Sequence, residues 1–281
     1  MLRTNEAEAL LARIRDLPVL PQALADLMKA MQREDVAIDQ LAATISHDQA
    51  LTAKTLRLAN SSFYGMPRRI TSIRDAIGVL GLRNLGMALT AAGVSGCFAL
   101  PQCRGFDLVA HWRHAVACAL CARHAARVIG LDDTAAFTAG LLHDIGRLAL
   151  ASGLPETLAP VYEHRRLLDC QMDEAERALL GTDHAEIGAT IAMRWHFGSD
   201  VVEAIRHHHA PPGSTSATLT DVVHAANAIV HALDLSGVPD DMVPALAPDA
   251  WNRLGLDAGA CHRLFAQTEA ELNDLCEALS V

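Results

Sequence analysis

Apolar and polar residues follow a helical period along most of the chain. Apolar positions recur three and four residues apart, whereas the alternating β-branched residues that are typical of strands are almost absent. Glycine and proline interrupt this pattern near residues 64–67, 100–105, 130 and 210–217. The pattern therefore predicts an all-α fold, a multi-helix bundle in which loops separate the helices.

The loop near residues 100–105 is the expected boundary between two helical subdomains. Residues 1–104 are predicted to form an N-terminal helical subdomain. Residues 105–281 are predicted to form a second subdomain that includes the C-terminal helices. The predicted helices include segments at 21–34, 107–130 and 134–152.

Composition and charge narrow the expected partners. The 281 residues are 51% hydrophobic, so the chain can bury a large core. A formal charge of −10 repels nucleic acid, and an aromatic content of 4% leaves few stacking platforms for single strands. No apolar run approaches the roughly 18 residues that span a bilayer, and the N-terminus lacks a secretory pattern. We therefore expect a cytoplasmic protein that binds neither nucleic acid nor a membrane.

The histidines are the candidate functional residues of the chain. The chain has 14 of them, most between His111 and His231. An aspartate beside a histidine on an apolar helix, as at His143-Asp144, is costly to bury unless both are paired or hold a metal. A helical bundle builds metal sites from facing helices, and four further histidines could join this pair: His114, His184, His208 and His209.

Each of these residues also has a structural interpretation. The His143-Asp144 pair could be hydrogen-bonded in the core, His184 could simply open a helix, and the run at 207–209 could be a solvated helix end favoured by the helix dipole. His207 is expected to point away from the others. Cys118-x-x-Cys121 lies in an alanine-rich helix and reads as two ordinary core residues.

The motifs occur in an order that resembles a known family. The second half contains W-x-H at 112–114, A-G-L-L-H-D-I-G at 139–146, D-H-x-E-I-G at 183–188 and a His-His pair at 208–209. The first half contains L-P-V-L-P-Q and I-S-H-D-Q-A-L-T-A-K. Over roughly residues 17 to 235 the chain resembles the HDOD family, which is related to the HD and HD-GYP metal-dependent phosphohydrolases.

The resemblance implies an HD-like helical bundle and a role in bacterial signal transduction. It implies a regulatory or scaffold module whose N-terminal half binds signalling proteins. It also implies a metal site for iron, manganese, zinc or nickel, or for magnesium, and no organic cofactor. The implied ligands are His114, His143, Asp144, His184, His208 and His209.

The chain departs from the catalytic relatives at two places. Where they have a last aspartate ligand, this sequence has Asn227, and Asp221 lies nearly two turns earlier. No Gly-Tyr-Pro segment follows His209. These departures favour a regulatory module with a degenerate metal site over an enzyme.

Two other functions stay open. One is a metal-dependent phosphohydrolase with a nucleotide or cyclic dinucleotide ligand, in which His143, Asp144 and Arg147 are the candidate catalytic residues. The other is a metal or redox sensor that uses Cys118 or Cys121 together with the histidines.

Overall fold

The structure of the protein is a computed structural model. It describes residues 2–14, 19–20, 22, 24–26, 38–95, 97–98, 101–238 and 241–279. These residues form α-helices and no strand, which confirms the predicted all-α fold. Most of the helix predicted at 21–34 lies outside the described residues. The helices are α1 Leu2–Leu11, α2 Ile38–His47, α3 Gln49–Ala59, α4 Ile73–Ser95, α5 Leu108–Ile129, α6 Asp133–Leu142, α7 Ile145–Gly153, α8 Pro155–Leu168, α9 Met172–Leu180, α10 His184–Arg194, α11 Ser199–His207, α12 Leu219–Ala232, α13 Pro248–Leu254 and α14 Ala258–Leu279.

The chain divides into two compact units. The first contains residues 1–18 and 98–269, and the second contains residues 19–97 and 270–281. The sequence analysis had placed a single boundary at residues 104/105, which would keep residues 1–18 with residues 19–97 and residues 270–281 with residues 105–269. In the structure, residues 1–18 instead belong to the first unit and residues 270–281 to the second. Apolar burial explains the N-terminal case, because Leu11 and Ile14 are buried and Ile14 lies against Gly153 of the same unit.

Polar caps mark several helix ends of the first unit. Asp107 accepts a hydrogen bond from the Ala110 amide at the start of α5, and Gly130 ends that helix in the left-handed conformation at φ 76°. Asp132 caps α6 and Asp183 caps α10 in the same way. These caps determine where the helices that carry the histidines begin.

The helix predicted at 134–152 is instead two helices. α6 ends at Leu142 and α7 begins at Ile145, so His143 and Asp144 lie at the junction between them. The prediction of one helix was wrong because the apolar period continues across the junction. The break places two consecutive polar side chains in the core of the unit.

α4 is the one helix in the described part of the chain with the length and composition of a membrane span. The sequence analysis had expected no apolar run of that length. Two observations weigh against a span: 67% of the apolar window is buried within the protein, and Gly81 breaks the helix with φ 76° and ψ 161°. Neither segment beside Gly81 alone approaches the ~20 residues that cross a bilayer.

Candidate metal centre

Two glycines bring together the helices that carry the predicted ligands. A Cβ atom at Gly140 of α6 would lie 2.7 Å from the Cys118 carbonyl oxygen of α5. A Cβ atom at Gly146 of α7 would overlap the His184 carbonyl oxygen of α10 and lie 2.7 Å from the Gly188 amide nitrogen. Only glycine allows such close backbone approach, so these contacts set the spacing around the α6–α7 junction.

Three imidazoles surround one oxygen of Asp144. Its Oδ1 atom is 3.0 Å from His184 Nε2, 3.6 Å from His143 Nε2 and 3.8 Å from His208 Nε2. The three histidines have no exposed surface and Asp144 is 2% exposed. The other carboxylate oxygen, Oδ2, accepts from Arg147 at 3.1 Å. A buried carboxylate oxygen thus lies at the centre of several nitrogen donors.

The outer nitrogens of these imidazoles are held in place. His143 Nδ1 donates to the Gly140 carbonyl and His208 Nδ1 donates to the Ile205 carbonyl, each at 2.7 Å. His184 Nδ1 donates to Glu176 Oε2 at 2.5 Å. A proton on Nδ1 leaves an Nε2 lone pair on the neutral rings of His143 and His208, which is the arrangement of metal-ligating histidines. The buried Nε2 of His208 has no hydrogen-bond partner.

His114 and His209 extend the cluster on two sides. His114 Nε2 is 3.1 Å from His143 Nε2, and His209 Nε2 is 2.9 Å from His184 Nε2. The structure therefore brings all six sequence-predicted donors together. Together with Cys118 they form three overlapping groups, and within each group the ligand atoms lie within 4.8 Å of one another. The groups are His114, Cys118 and His143; His143, Asp144 and His208; and His184, His208 and His209.

Burial and nearby charge set the protonation of the centre. Burial lowers the pKa of His143 and, more strongly, that of His208, so both rings are neutral near pH 7. Burial opposes ionisation of Asp144, but Arg147 and the neighbouring histidines outweigh it and hold the pKa of that carboxyl well below its usual value. Burial also opposes protonation of His184, but Glu176 and Asp144 raise its pKa to about 10. A metal ion would therefore have to displace a proton from His184.

Three residues that the sequence analysis discussed beside the six predicted ligands lie outside the cluster or at its margin. Asp221 accepts from Thr218 and Arg253 at the start of α12, so its carboxylate is engaged there rather than in the cluster. His207 lies 3.4 Å from Glu203, away from the centre as expected. Asn227 is buried, and its Oδ1 atom has no hydrogen-bond partner.

The sequence analysis missed two supporting residues. Glu176 is fully buried and accepts from both the Nδ1 and the backbone amide of His184. His231 stacks beside His114 with ring centroids 4.5 Å apart, and its Nδ1 donates to Asp241 at 2.7 Å. Neither residue belongs to a motif, and in the helical pattern of the sequence both occupy ordinary helix positions. Only the tertiary structure shows that they pair with the ligands.

A cavity of about 130 Å³ adjoins the centre. Its lining includes donors of the cluster, among them Asp144 and His209, and also groups that suit an anionic ligand. Within that lining the Nε atom of Arg147 and the Oδ1 atom of Asn227 have no hydrogen-bond partner. The basic, phenolic and amide groups that line it are Arg147, Tyr162, Arg165, Gln171 and Asn227, and the carboxylates of Asp107 and Asp241 lie in the same lining.

Comparisons with known proteins agree with this architecture. The sequence model of the HDOD domain matches residues 17–211. The crystal structure of an HDOD domain protein of unknown function from Geobacter sulfurreducens superimposes with a TM-score of 0.85 at 25% identity, covering 98% of each chain. A proposed phosphohydrolase from Shewanella amazonensis SB2B gives a TM-score of 0.73 at 31% identity, covering 95% of this chain and 98% of the other.

A curated relative exists in Treponema pallidum, where it is described only as an uncharacterized protein. It is 30% identical over 245 residues, which are 86% of this chain and 47% of the relative. The chain therefore spans about half the length of the curated relative that it matches.

Proposed function

The chain belongs to the HDOD domain family, and from the geometry of its histidine centre we propose that it is a metal-binding regulatory module of bacterial signal transduction. In this proposal a divalent transition-metal ion lies beside Asp144, held by His143, His184 and His208. The ion organises the helices of the first unit, and the second unit binds a partner protein. The proposal assigns no turnover to the module.

One observation carries the metal assignment. Each of the three central imidazoles has its Nδ1 atom tied to a fixed acceptor, and each directs Nε2 toward the same carboxylate oxygen. A histidine that served only as a core hydrogen-bonding group would pair both nitrogens, whereas the Nε2 of His208 has no hydrogen-bond partner. A donor set rich in imidazole suits zinc, iron, manganese or nickel better than magnesium, which prefers oxygen ligands.

Asn227 supports a regulatory role. It matches the position at which catalytic HD domains carry their last aspartate, and it lines the cavity as a neutral amide. An amide cannot supply the negative charge that a second hard cation needs. Asp221, the nearest alternative, is engaged by Thr218 and Arg253.

The partner surface that we propose is a groove of the second unit. It has a volume of about 960 Å³, and three exposed arginines line it: Arg57, Arg68 and Arg69. Asp274 and Glu277 form part of the same lining. None of the three arginines forms an ion pair with a described residue, although the whole chain carries a charge of −10. Such a local excess of guanidinium groups favours an acidic segment of a partner protein.

The partner proposal is tested with a defined probe. A fluorescent peptide rich in glutamate is titrated with the protein and followed by anisotropy, beside a scrambled neutral peptide. We expect saturable binding that weakens with salt and is lost in the Arg68→Ala/Arg69→Ala variant. Equal binding by the variant would refute the assignment of the groove.

The metal proposal is tested by metal content. Plasma mass spectrometry is applied to the tag-free protein after incubation with zinc, manganese or iron, beside His143→Ala and His184→Ala. His262→Ala is the matched control, because His262 is exposed and lies outside the cluster. We expect at least one ion per chain in the wild type and the control, and a lower metal content in the two other variants. A wild type that stays free of metal would refute the proposal.

The cavity favours a second candidate, a metal-dependent phosphohydrolase. A bound divalent ion would supply Lewis acidity at the centre. Arg147 lines the cavity with a free Nε donor and could hold a phosphate oxygen while it keeps its contact with Asp144. Release of nitrophenol from bis(p-nitrophenyl) phosphate, and cleavage of cyclic dinucleotides, would favour this candidate if His143→Ala and Arg147→Ala both abolished them.

A further inference from the structure

Cys118 lies on the same face of α5 as His114, one turn later. Both side chains are buried, and Cys118 has no exposed surface. Cys118 Sγ is 3.5 Å from His114 Nε2, and that nitrogen is 3.1 Å from His143 Nε2. The three ligand atoms lie within 4.8 Å of one another, at the end of the cluster beyond Asp144. The regulatory proposal above does not use the thiol.

These distances match those between ligands of one tetrahedral ion. With zinc–nitrogen bonds of about 2.05 Å and a zinc–sulfur bond of about 2.3 Å, tetrahedral angles place two nitrogens about 3.3 Å apart and a nitrogen and a sulfur about 3.6 Å apart. The observed separations are 3.1 Å and 3.5 Å.

We propose that Cys118 is a metal ligand, which with His114 and His143 forms a nitrogen-and-sulfur position next to the one centred on Asp144. The two positions share the single Nε2 lone pair of His143, so they are occupied one at a time. This inference rests on the proposed metal-binding function and extends it to a thiophilic ion such as zinc or cobalt. The other two ligands are neutral imidazoles, so the thiolate supplies the negative charge of this position. Coordination replaces the thiol proton, which passes to the solvent.

The competing interpretation is a core thiol that donates a weak hydrogen bond to His114. Cys121 offers an internal comparison, because it lies on the same helix and is equally buried. Cys121 is hydrogen-bonded with Thr268 and belongs to none of the metal-ligating groups found among the described residues. Removing its sulfur should therefore leave the metal centre unchanged.

The experiment is cobalt substitution followed by absorption spectroscopy. A cobalt–thiolate bond gives a charge-transfer band in the near ultraviolet that histidine and carboxylate ligands do not give. We expect the band in the wild type and in Cys121→Ala, and its loss in Cys118→Ala. Zinc-edge X-ray absorption should show a sulfur neighbour at about 2.3 Å in the first two proteins only. Circular dichroism shows whether Cys118→Ala is folded. Cys118→Ser, which should lose the band as well, is the second variant.

The outcomes separate the two proposals. If cobalt binds to the wild type without the band, or if the band persists in Cys118→Ala, the thiol assignment is wrong while the centre at Asp144 stands. If the wild type binds neither cobalt nor zinc, both proposals fail. If Cys118→Ala loses the band but still binds an ion at the Asp144 position, and His184→Ala does not bind an ion at that position, both the metal proposal and the thiol assignment are supported.

Discussion

Gly146→Ala should damage the metal centre without removing any ligand. The added Cβ atom would lie 2.7 Å from the Gly188 amide nitrogen, whereas ordinary contact begins at 3.4 Å, and it would overlap the His184 carbonyl. The neighbouring atoms belong to the backbone, so no side-chain rotation relieves the overlap. α7 and α10 must therefore separate by at least about 0.7 Å, which exceeds the roughly 0.2 Å tolerance of a metal–ligand distance.

Two energies oppose each other in this variant. Alanine is favoured over glycine within a helix by about 0.5–1 kcal/mol, while overpacking a tight contact costs about 1–3 kcal/mol. We expect a modest net loss of stability. The shift of Asp144 relative to His184 should weaken zinc binding by at least the 10- to 100-fold typical of losing a supporting contact.

Competition with a coloured zinc chelator measures the affinity, and thermal unfolding followed by circular dichroism measures the stability. Gly78→Ala is the matched control, since a Cβ atom at Gly78 of α4 would meet nothing within 4 Å. The control should keep the wild-type zinc affinity. If Gly146→Ala also bound zinc as tightly as the wild type, the close approach of α7 and α10 would not determine the geometry of the centre.

Three further changes test other parts of the structure. Glu176→Gln removes the negative charge behind one imidazole ligand, and zinc affinity measured by calorimetry should fall about 10- to 100-fold, while Glu174→Gln, at the exposed start of α9, should leave it unchanged. Asn227→Asp should raise manganese affinity because it adds an anionic oxygen to the cavity, and an unchanged manganese titration would contradict that placement. Burial opposes ionisation of Asp221, yet the hydrogen bonds from Arg253 and from the cap of α12 lower its pKa. The stability from this ion pair is present above about pH 4 and is lost as the pH falls through the lowered pKa. Asp221→Asn should therefore lower the melting temperature at pH 7, and the melting temperatures of variant and wild type should converge in acid.

Sequence reasoning reached the fold because helical periodicity depends on local spacing alone. The six candidate ligands came from the clustering of histidines in the sequence and from the family resemblance, and the structure brings them together around Asp144. Whether they bind an ion remains a prediction.

Other features required tertiary structure. The apolar period runs through the α6–α7 junction, so the pattern could not reveal that His143 and Asp144 separate two helices. Glu176 precedes His184 by eight residues, a spacing with no helical meaning once α9 ends between them. The pairing of His231 with Asp241 likewise depends on how the chain returns after α12.

His143 and His208 have a second structural role. Each follows the last residue of its helix, α6 or α11, and donates Nδ1 to the carbonyl three residues earlier. Such carbonyls in a final turn lack partners within the helix. The imidazoles that would hold the ion therefore also close the two helices, and fraying of either end would withdraw a ligand. Metal binding should consequently slow amide hydrogen exchange in the last turns of α6 and α11, which would make local helix fraying a direct readout of occupancy.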